Sequence, residues 1–185
     1  ELSETARENC FNIQSSSRSL LAIINDILDF SKIESGKLEI IETEFNISSL
    51  LNDIINMIVT RKGNKKIEIL VHADPNIPCG LIGDEIRLRQ IIINLLTNAV
   101  KFTNTGAVTL RVAQTKQDYG INLKVVVEDS GIGITEENLE KLFSSFQQVD
   151  TRKNRSVEGT GLGLAISKRL VSKMGGFINV SSEYG

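Results

Sequence analysis

From residue 2 to about residue 34 the chain carries no glycine and no proline. Ala6, Cys10, Ile13, Ser17, Leu20, Ile24, Ile27 and Ser31 recur at alternating steps of four and three. That spacing predicts one uninterrupted helix with a single buried stripe, which Leu21 and Leu28 widen in its second half. Ser3 is placed to cap its start, and Ser35-Gly36 breaks it. A helix of about 30 residues is long for one globular element. Its stripe must be covered either by a bundle or coiled coil whose partner comes from elsewhere, or by packing on its own domain. Ser15-Ser-Ser17 weakens a strict zipper and suits a mixed bundle core.

The rest of the chain alternates strand and helix patterns. Leu38 to Phe45 alternates apolar and acidic residues, as a half-buried strand does. Asn46 or Ser48 can cap a helix running to about Arg61. Lys66 to His72 reads as a strand ended by Asp74-Pro-Asn-Ile-Pro78. After a short apolar piece, Leu81-Ile82-Gly83, Asp84 caps a third helix to about Phe102. Its apolar residues cover most of the circumference and predict burial. Val108 to Val112 and Leu123 to Val127 form a hairpin around the polar loop Lys116 to Gly120. Thr135 opens a short helix with acidic residues in its first turn, Leu162 to Met174 is a further helix, and Phe177 to Ser181 begins a last strand. Residues 150–160 are polar, charged and glycine-containing, the composition of a mobile loop.

Composition bounds what such a chain can do. With 185 residues and 41% hydrophobic content it can build one sizeable core plus an appendage. A net charge of −2 gives no electrostatic case for nucleic acid or for an anionic membrane. Cys10 and Cys79 stand far apart without metal-ligand spacing, which suits free thiols in a reducing compartment. No apolar run approaches the roughly 20 residues that span a bilayer, and no signal peptide is visible.

Three clusters carry chemistry. Asn94, Asn98 and Lys101 are spaced by four and three, so they share one face of an otherwise apolar helix. An Asn carbonyl is a hard oxygen ligand suited to Mg²⁺, and a lysine can meet a phosphate as a point charge. Side chains tying down neighbouring loops would explain the same residues. Asp129 follows a strand and precedes Ser130-Gly-Ile-Gly-Ile134. A carboxylate at the floor of a pocket accepts from an exocyclic amine such as that of adenine and rejects guanine, whose carbonyl cannot donate. A turn aspartate before glycines is the bland alternative. Gly159-Thr-Gly-Leu-Gly163 opens a helix whose backbone N–H groups can bind phosphate. It is neither a P-loop, lacking the Lys-Ser/Thr, nor a dinucleotide fingerprint, since it follows a loop rather than a strand.

In this order the clusters resemble the boxes of a sensor histidine kinase with a Bergerat-type ATP-binding domain. Asn94 to Phe102 resembles the N box, Asp129 to Gly133 the G1 box, Phe143 to Phe146 the F box and Gly159 to Gly163 the G2 box. Leu28-Asp-Phe-Ser-Lys-Ile-Glu34 resembles the end of the second helix of that family's dimerisation domain. The resemblance implies a two-layer α/β sandwich, a mixed sheet with helices on one face, preceded by the long bundle helix. Residues 1–36 would be the second dimerisation helix without its first, and 37–185 the ATP-binding domain without its last strand. It further implies ATP and Mg²⁺ as ligands. Asn98 would bind the metal with Asn94 close to it, Lys101 would contact phosphates, and Phe102 would border the nucleotide. Asp129 would bind adenine, with Gly131, Gly133 and Ile134 shaping the pocket. Thr160, Gly161, Leu162 and Gly163 would hold phosphates, and residues from about 149 to 159 would form a lid.

The implied activity is transfer of the ATP γ-phosphoryl group to a histidine and onward to an aspartate of a response-regulator receiver domain. The sole histidine, His72, sits on a strand beside Ala73 and Asp74 rather than on a helix before an acidic residue. The acceptor is therefore expected outside this chain, which should bind ATP without phosphorylating itself. The implied setting is a homodimer in the cytoplasmic portion of a sensor whose membrane contact, if it has one, lies in other parts of the parent; no nucleic acid is expected. Two other readings stay open: an ATP-hydrolysing switch related to gyrase, MutL or the large heat-shock chaperones, and a nucleotide-binding receptor scaffold with little kinase activity. The hydrolases carry a glutamate where this chain has Asn94, and an amide cannot act as general base.

Overall fold

A computed structural model describes residues 3–144 and 161–185, apart from the side chains at 15, 18 and 19. Helix α1 spans Glu4–Glu34, with the Ser3 hydroxyl accepting from the Ala6 N–H at 3.3 Å. Helix α2, Ile47–Lys62, begins where the Asn46 side chain accepts from the Ser49 N–H. Helix α3, Glu85–Phe102, begins where Asp84 accepts from the Arg87 N–H. A short helix α4, Glu136–Lys141, and helix α5, Gly163–Lys173, complete the set; neither has a side-chain cap.

The strands form two sheets. Strand β1, Thr43–Asn46, pairs antiparallel with β3, Gly80–Gly83. Strand β2, Lys66–Ala73, runs parallel to β4, Thr105–Gln117, which pairs antiparallel with β5, Gly120–Asp129. The order β2-β4-β5 is thus a mixed sheet. Its alternation is plain: Ile67, Val108, Leu110 and Val112 are buried against Leu50, Ile54 and Ile58 of α2 and Ile92, Leu96 and Ala99 of α3. Glu68, Leu70, His72, Arg111, Lys124 and Glu128 face outward and are exposed. The result is two layers with helices on one face. A second, smaller core joins Ile33 of α1, Leu38, Ile91 of α3 and Leu162, Ile166 and Leu170 of α5.

Four expectations change. The strand expected over Leu38 to Phe45 shrinks to Thr43–Asn46, because Leu38 turns into the second core and the Ile41 N–H is taken by the Asp84 carboxylate rather than by a strand. The hairpin is longer than expected, since Lys116 and Gln117 stay in register with Ile121 and Gly120. Phe177 to Ser181 forms no strand; no described segment pairs with it, and the tail instead reaches back to Ile132 and Ile134. Helix α3 is not buried all round: Ile86 is 72% exposed, at the rim of a groove between α1 and α3.

Candidate functional site

Helix α3 carries Asn94, Asn98, Lys101 and Phe102 on a face turned from the sheet toward α5 and the loop after β5. Asn94 lies against the first turns of α5. Its side-chain N–H donates to the Ser167 hydroxyl at 2.9 Å, and Ser167 is buried. Its carbonyl oxygen accepts from the Asn98 amide at 3.5 Å, the long limit of a hydrogen bond. A Cβ at Gly163 would collide with that same oxygen, so the glycine opening α5 leaves room for Asn94. Here the predicted metal pair and one predicted phosphate-binding glycine meet directly.

One turn on, the Lys101 ammonium stands 5.1 Å from the Phe102 ring centroid. Partial burial lowers the lysine pKa from its ordinary value. The end of α3 is held by a lysine that the sequence did not single out. The Lys65 ammonium donates to the carbonyls of Val100, Lys101 and Thr103 at 2.7, 3.1 and 3.1 Å, meeting the orphan acceptors of the last turn.

Asp129 ends β5 opposite Val108. One carboxylate oxygen accepts from the Gly131 N–H at 2.9 Å, which fixes the side chain at the mouth of the loop. A Cβ at Gly131 would stand 2.7 Å from the Phe102 carbonyl oxygen, so the loop after β5 lies directly on the end of α3. Gly133 has φ +69° and meets the Glu183 carbonyl, while Ile134 N–H donates to the Ser182 hydroxyl at 2.9 Å. The two glycines let the loop approach the protein's own backbone closely, Gly131 at Phe102 and Gly133 at Glu183, and the Gly131 N–H holds Asp129 in place. Ser130 adds a tie at the other edge, accepting from the Ala107 N–H at 2.9 Å.

Asn94, Asn98, Lys101, Phe102, Asp129, Gly131 and Gly163 therefore form one connected surface, with Gly133 and Ile134 behind it. Gly161 and Leu162 lead into α5, Leu162 being buried. Phe146, Gly159, Thr160 and the expected lid lie outside the described residues. Ser167 was missed, although its position four residues after Gly163 puts the hydroxyl on the same helix face. His72 is elsewhere, exposed on the outer face of β2 opposite Arg111. Two surface clefts, one lined by Asp29, Arg87 and Gln90 and one by Glu34, Phe143 and Arg169, border α1 and contain none of the site residues.

The donor set decides which metal fits. Two carboxamides offer neutral oxygens only, and no cluster of three His, Cys, Asp or Glu side chains occurs among the described residues. Such a pair is too weak to hold a bare transition metal but suits a magnesium ion that takes most of its shell from phosphate and water. Among the described residues the start of α5 carries no side-chain cap, and the first turn of a helix is where backbone N–H groups can meet an anion.

Known proteins similar to this chain identify its family and its fold. The family described as histidine kinase-, DNA gyrase B-, and HSP90-like ATPase matches residues 83–185. Over its whole length the chain is 45% identical to hybrid signal transduction histidine kinase B of Dictyostelium discoideum, of which it spans 9%. Over 99% of its length it is 39% identical to the signal transduction histidine-protein kinase BarA of Escherichia coli K12, of which it spans 20%. Among solved structures, full-length ShkA in complex with AMPPNP superposes with a TM-score of 0.81 at 33% identity, covering all of this chain and 37% of that one. The mycobacterial sensor histidine kinase MprB gives 0.58 at 27% identity, covering 73% of this chain and 81% of that one.

Proposed function

The chain belongs to the family of histidine kinase-, DNA gyrase B-, and HSP90-like ATPases, and from that premise we propose that it is the ATP-binding part of a protein-histidine kinase. It spans 9% and 20% of the two named relatives, so the activity of the whole protein is part of this reading. Asp129 receives the adenine amine on the carboxylate oxygen that Gly131 leaves available. Phe102, Gly131, Gly133 and Ile134 shape the base pocket. Thr160, Gly161, Leu162 and Gly163 bind phosphates through backbone N–H groups, with Lys101 as a charged contact. Asn98, with Asn94, holds Mg²⁺, which when bound neutralises charge on the phosphates. Residues 1–36 act as a dimerisation helix and 37–185 as the catalytic domain. The γ-phosphoryl group passes to a histidine on a helix outside this chain, and then to a receiver-domain aspartate.

The observation that carries this reading is the junction of Asn94 with Gly163 and Ser167, which sets two carboxamides beside the uncapped start of α5. It also weighs against the hydrolase alternative, because an amide whose N–H is given to Ser167 has no means of taking a proton from water. The exposed stripe of α1, including Leu20, Ile24 and Ile27, supports a homodimer. No helix among the described residues is long and apolar enough to cross a membrane; we place the fragment in the cytoplasmic portion of its parent.

The test is binding and transfer together. The fragment is expected to bind an ATP analogue with Mg²⁺, and Asp129→Ala to remove that binding. Mixed with a helical domain bearing the histidine, the fragment should transfer label from γ-labelled ATP to it. Unchanged affinity in Asp129→Ala would overturn the pocket assignment, and rapid ATP hydrolysis lost in Asn94→Ala would favour the hydrolase.

A further inference from the structure

The hydroxyl of Ser167 is buried in the middle of α5, where a helix interior ordinarily takes Ala or Leu. A buried hydroxyl is tolerated when it is hydrogen-bonded. Its partner is not a backbone carbonyl of its own helix but the Asn94 side chain, 73 residues earlier, at 2.9 Å. We propose that Ser167 is a positioning residue: by accepting from the Asn94 amide N–H it turns the Asn94 carbonyl oxygen toward the Asn98 N–H, and so leaves the Asn98 oxygen turned outward to receive the metal. This rests on the nucleotide reading above and adds to it a determinant on α5.

The geometry leaves Asn94 little freedom. Its side chain lies between Ser167 and Asn98, and its oxygen fills the space that a Cβ of Gly163 would take. The amide is confined by shape at Gly163 and oriented by chemistry at Ser167. If the carboxamide were reversed, its NH₂ group would face the Asn98 NH₂, donor against donor, and Asn98 would turn its own oxygen inward to accept from it, leaving hydrogens toward the metal. Ser167 opposes that reversal because its oxygen receives the N–H. Removal of the hydroxyl leaves the packing of α5 intact and the amide free to turn. Because α3 and α5 carry the two halves of the site, the same hydrogen bond also couples the metal-binding helix to the phosphate-binding one.

The experiment uses the fragment labelled with ¹⁵N, with Ser167→Ala and Ser167→Thr compared to the unchanged chain. In the ligand-free protein the side-chain amide resonances of Asn94 should shift in Ser167→Ala and return toward their original place in Ser167→Thr, which restores the hydroxyl. Affinity for AMPPNP is measured by calorimetry with and without Mg²⁺. Ser167→Ala should lose about fivefold of the affinity that magnesium adds, the ratio expected for one neutral hydrogen bond. Its metal-free affinity should hold. An Asn94 amide unmoved in folded Ser167→Ala, or equal losses with and without magnesium, overturns the positioning role. Failure of the unchanged chain to bind AMPPNP under either condition sinks the nucleotide reading instead, while the ligand-free resonances still decide whether Ser167 orients Asn94.

Discussion

Burial lowers the pKa of Lys101 from the ordinary 10.5, because moving an ammonium out of water disfavours its charged form. The sign has two consequences. The unfolded chain keeps this proton to higher pH than the folded one, so this group adds stability as pH rises from the lowered folded value toward 10.5. Binding runs the other way: a phosphate contact needs the charged form, which is lost earlier on the alkaline side than for an exposed lysine. Affinity for AMPPNP should therefore decline as pH climbs through that window. Lys101→Met should start about tenfold weaker, as expected for one charge-assisted hydrogen bond, and lack that alkaline limb. A Lys101→Met profile that keeps the same limb would remove Lys101 from the phosphate contacts.

At the scale of elements, what the sequence disclosed and what it hid have physical causes. The starts of α1, α2 and α3 were legible because Ser3, Asn46 and Asp84 are local signals, each accepting from an N–H three residues on. The polar face of α3 was legible for the same reason, since spacings of four and three are fixed by the helix alone. The extended segment after Gly36 was misread because its fate depends on a distant carboxylate. Asp84 is buried and serves twice, capping α3 through Arg87 N–H and accepting from Ile41 N–H, each at 3.0 Å. The helix face of Ser167 was legible from its spacing to Gly163, but nothing in a helical serine announces a partner 73 residues away. The double role of Asp84 predicts a large effect from one small change. Asp84→Ala removes a cap worth about 1 kcal/mol and strands the Ile41 N–H at roughly 1–3 kcal/mol, so the loss should be roughly 2–4 kcal/mol. Asp84→Asn, which keeps one accepting oxygen, should lose about half. Urea midpoints measure both, and an Asp84→Ala loss below about 0.5 kcal/mol would mean that the Ile41 contact carries nothing.

Across the whole molecule, α1 is an arm attached by its last turns. Phe11, Ile13, Leu20 and Leu21 are more than half exposed, whereas Ile33 is buried against Leu162, Ile166 and Leu170. Polar contacts surround that attachment. Asp29 accepts from Arg87 at 3.1 Å and from Gln90 at 2.8 Å, Glu34 pairs with Arg169, and the Arg169 guanidinium lies 4.4 Å from the Phe30 ring centroid. The sequence offered packing on the domain and packing on a partner as alternatives; the last turns of the helix pack on the domain, and the stripe before them is exposed. Which contacts hold the arm can be decided by magnitude. Truncating a buried isoleucine costs about 2–5 kcal/mol. The Asp29–Arg87 pair retains about a fifth of its side-chain exposure on each partner, and pairs near a surface contribute about 0.2–1 kcal/mol and fade with salt. The apolar contact should dominate. Hydrogen exchange of residues 28–38 should quicken by about thirtyfold or more in Ile33→Ala, since opening free energy scales the exchange rate by tenfold per 1.4 kcal/mol. In Asp29→Ala it should quicken less than about fivefold. Strand β4, whose core is separate from that contact, should keep its protection in both. An arm released equally by Asp29→Ala, or by about 1 M salt alone, would show that charge and not apolar packing joins the helix to α3 and α5.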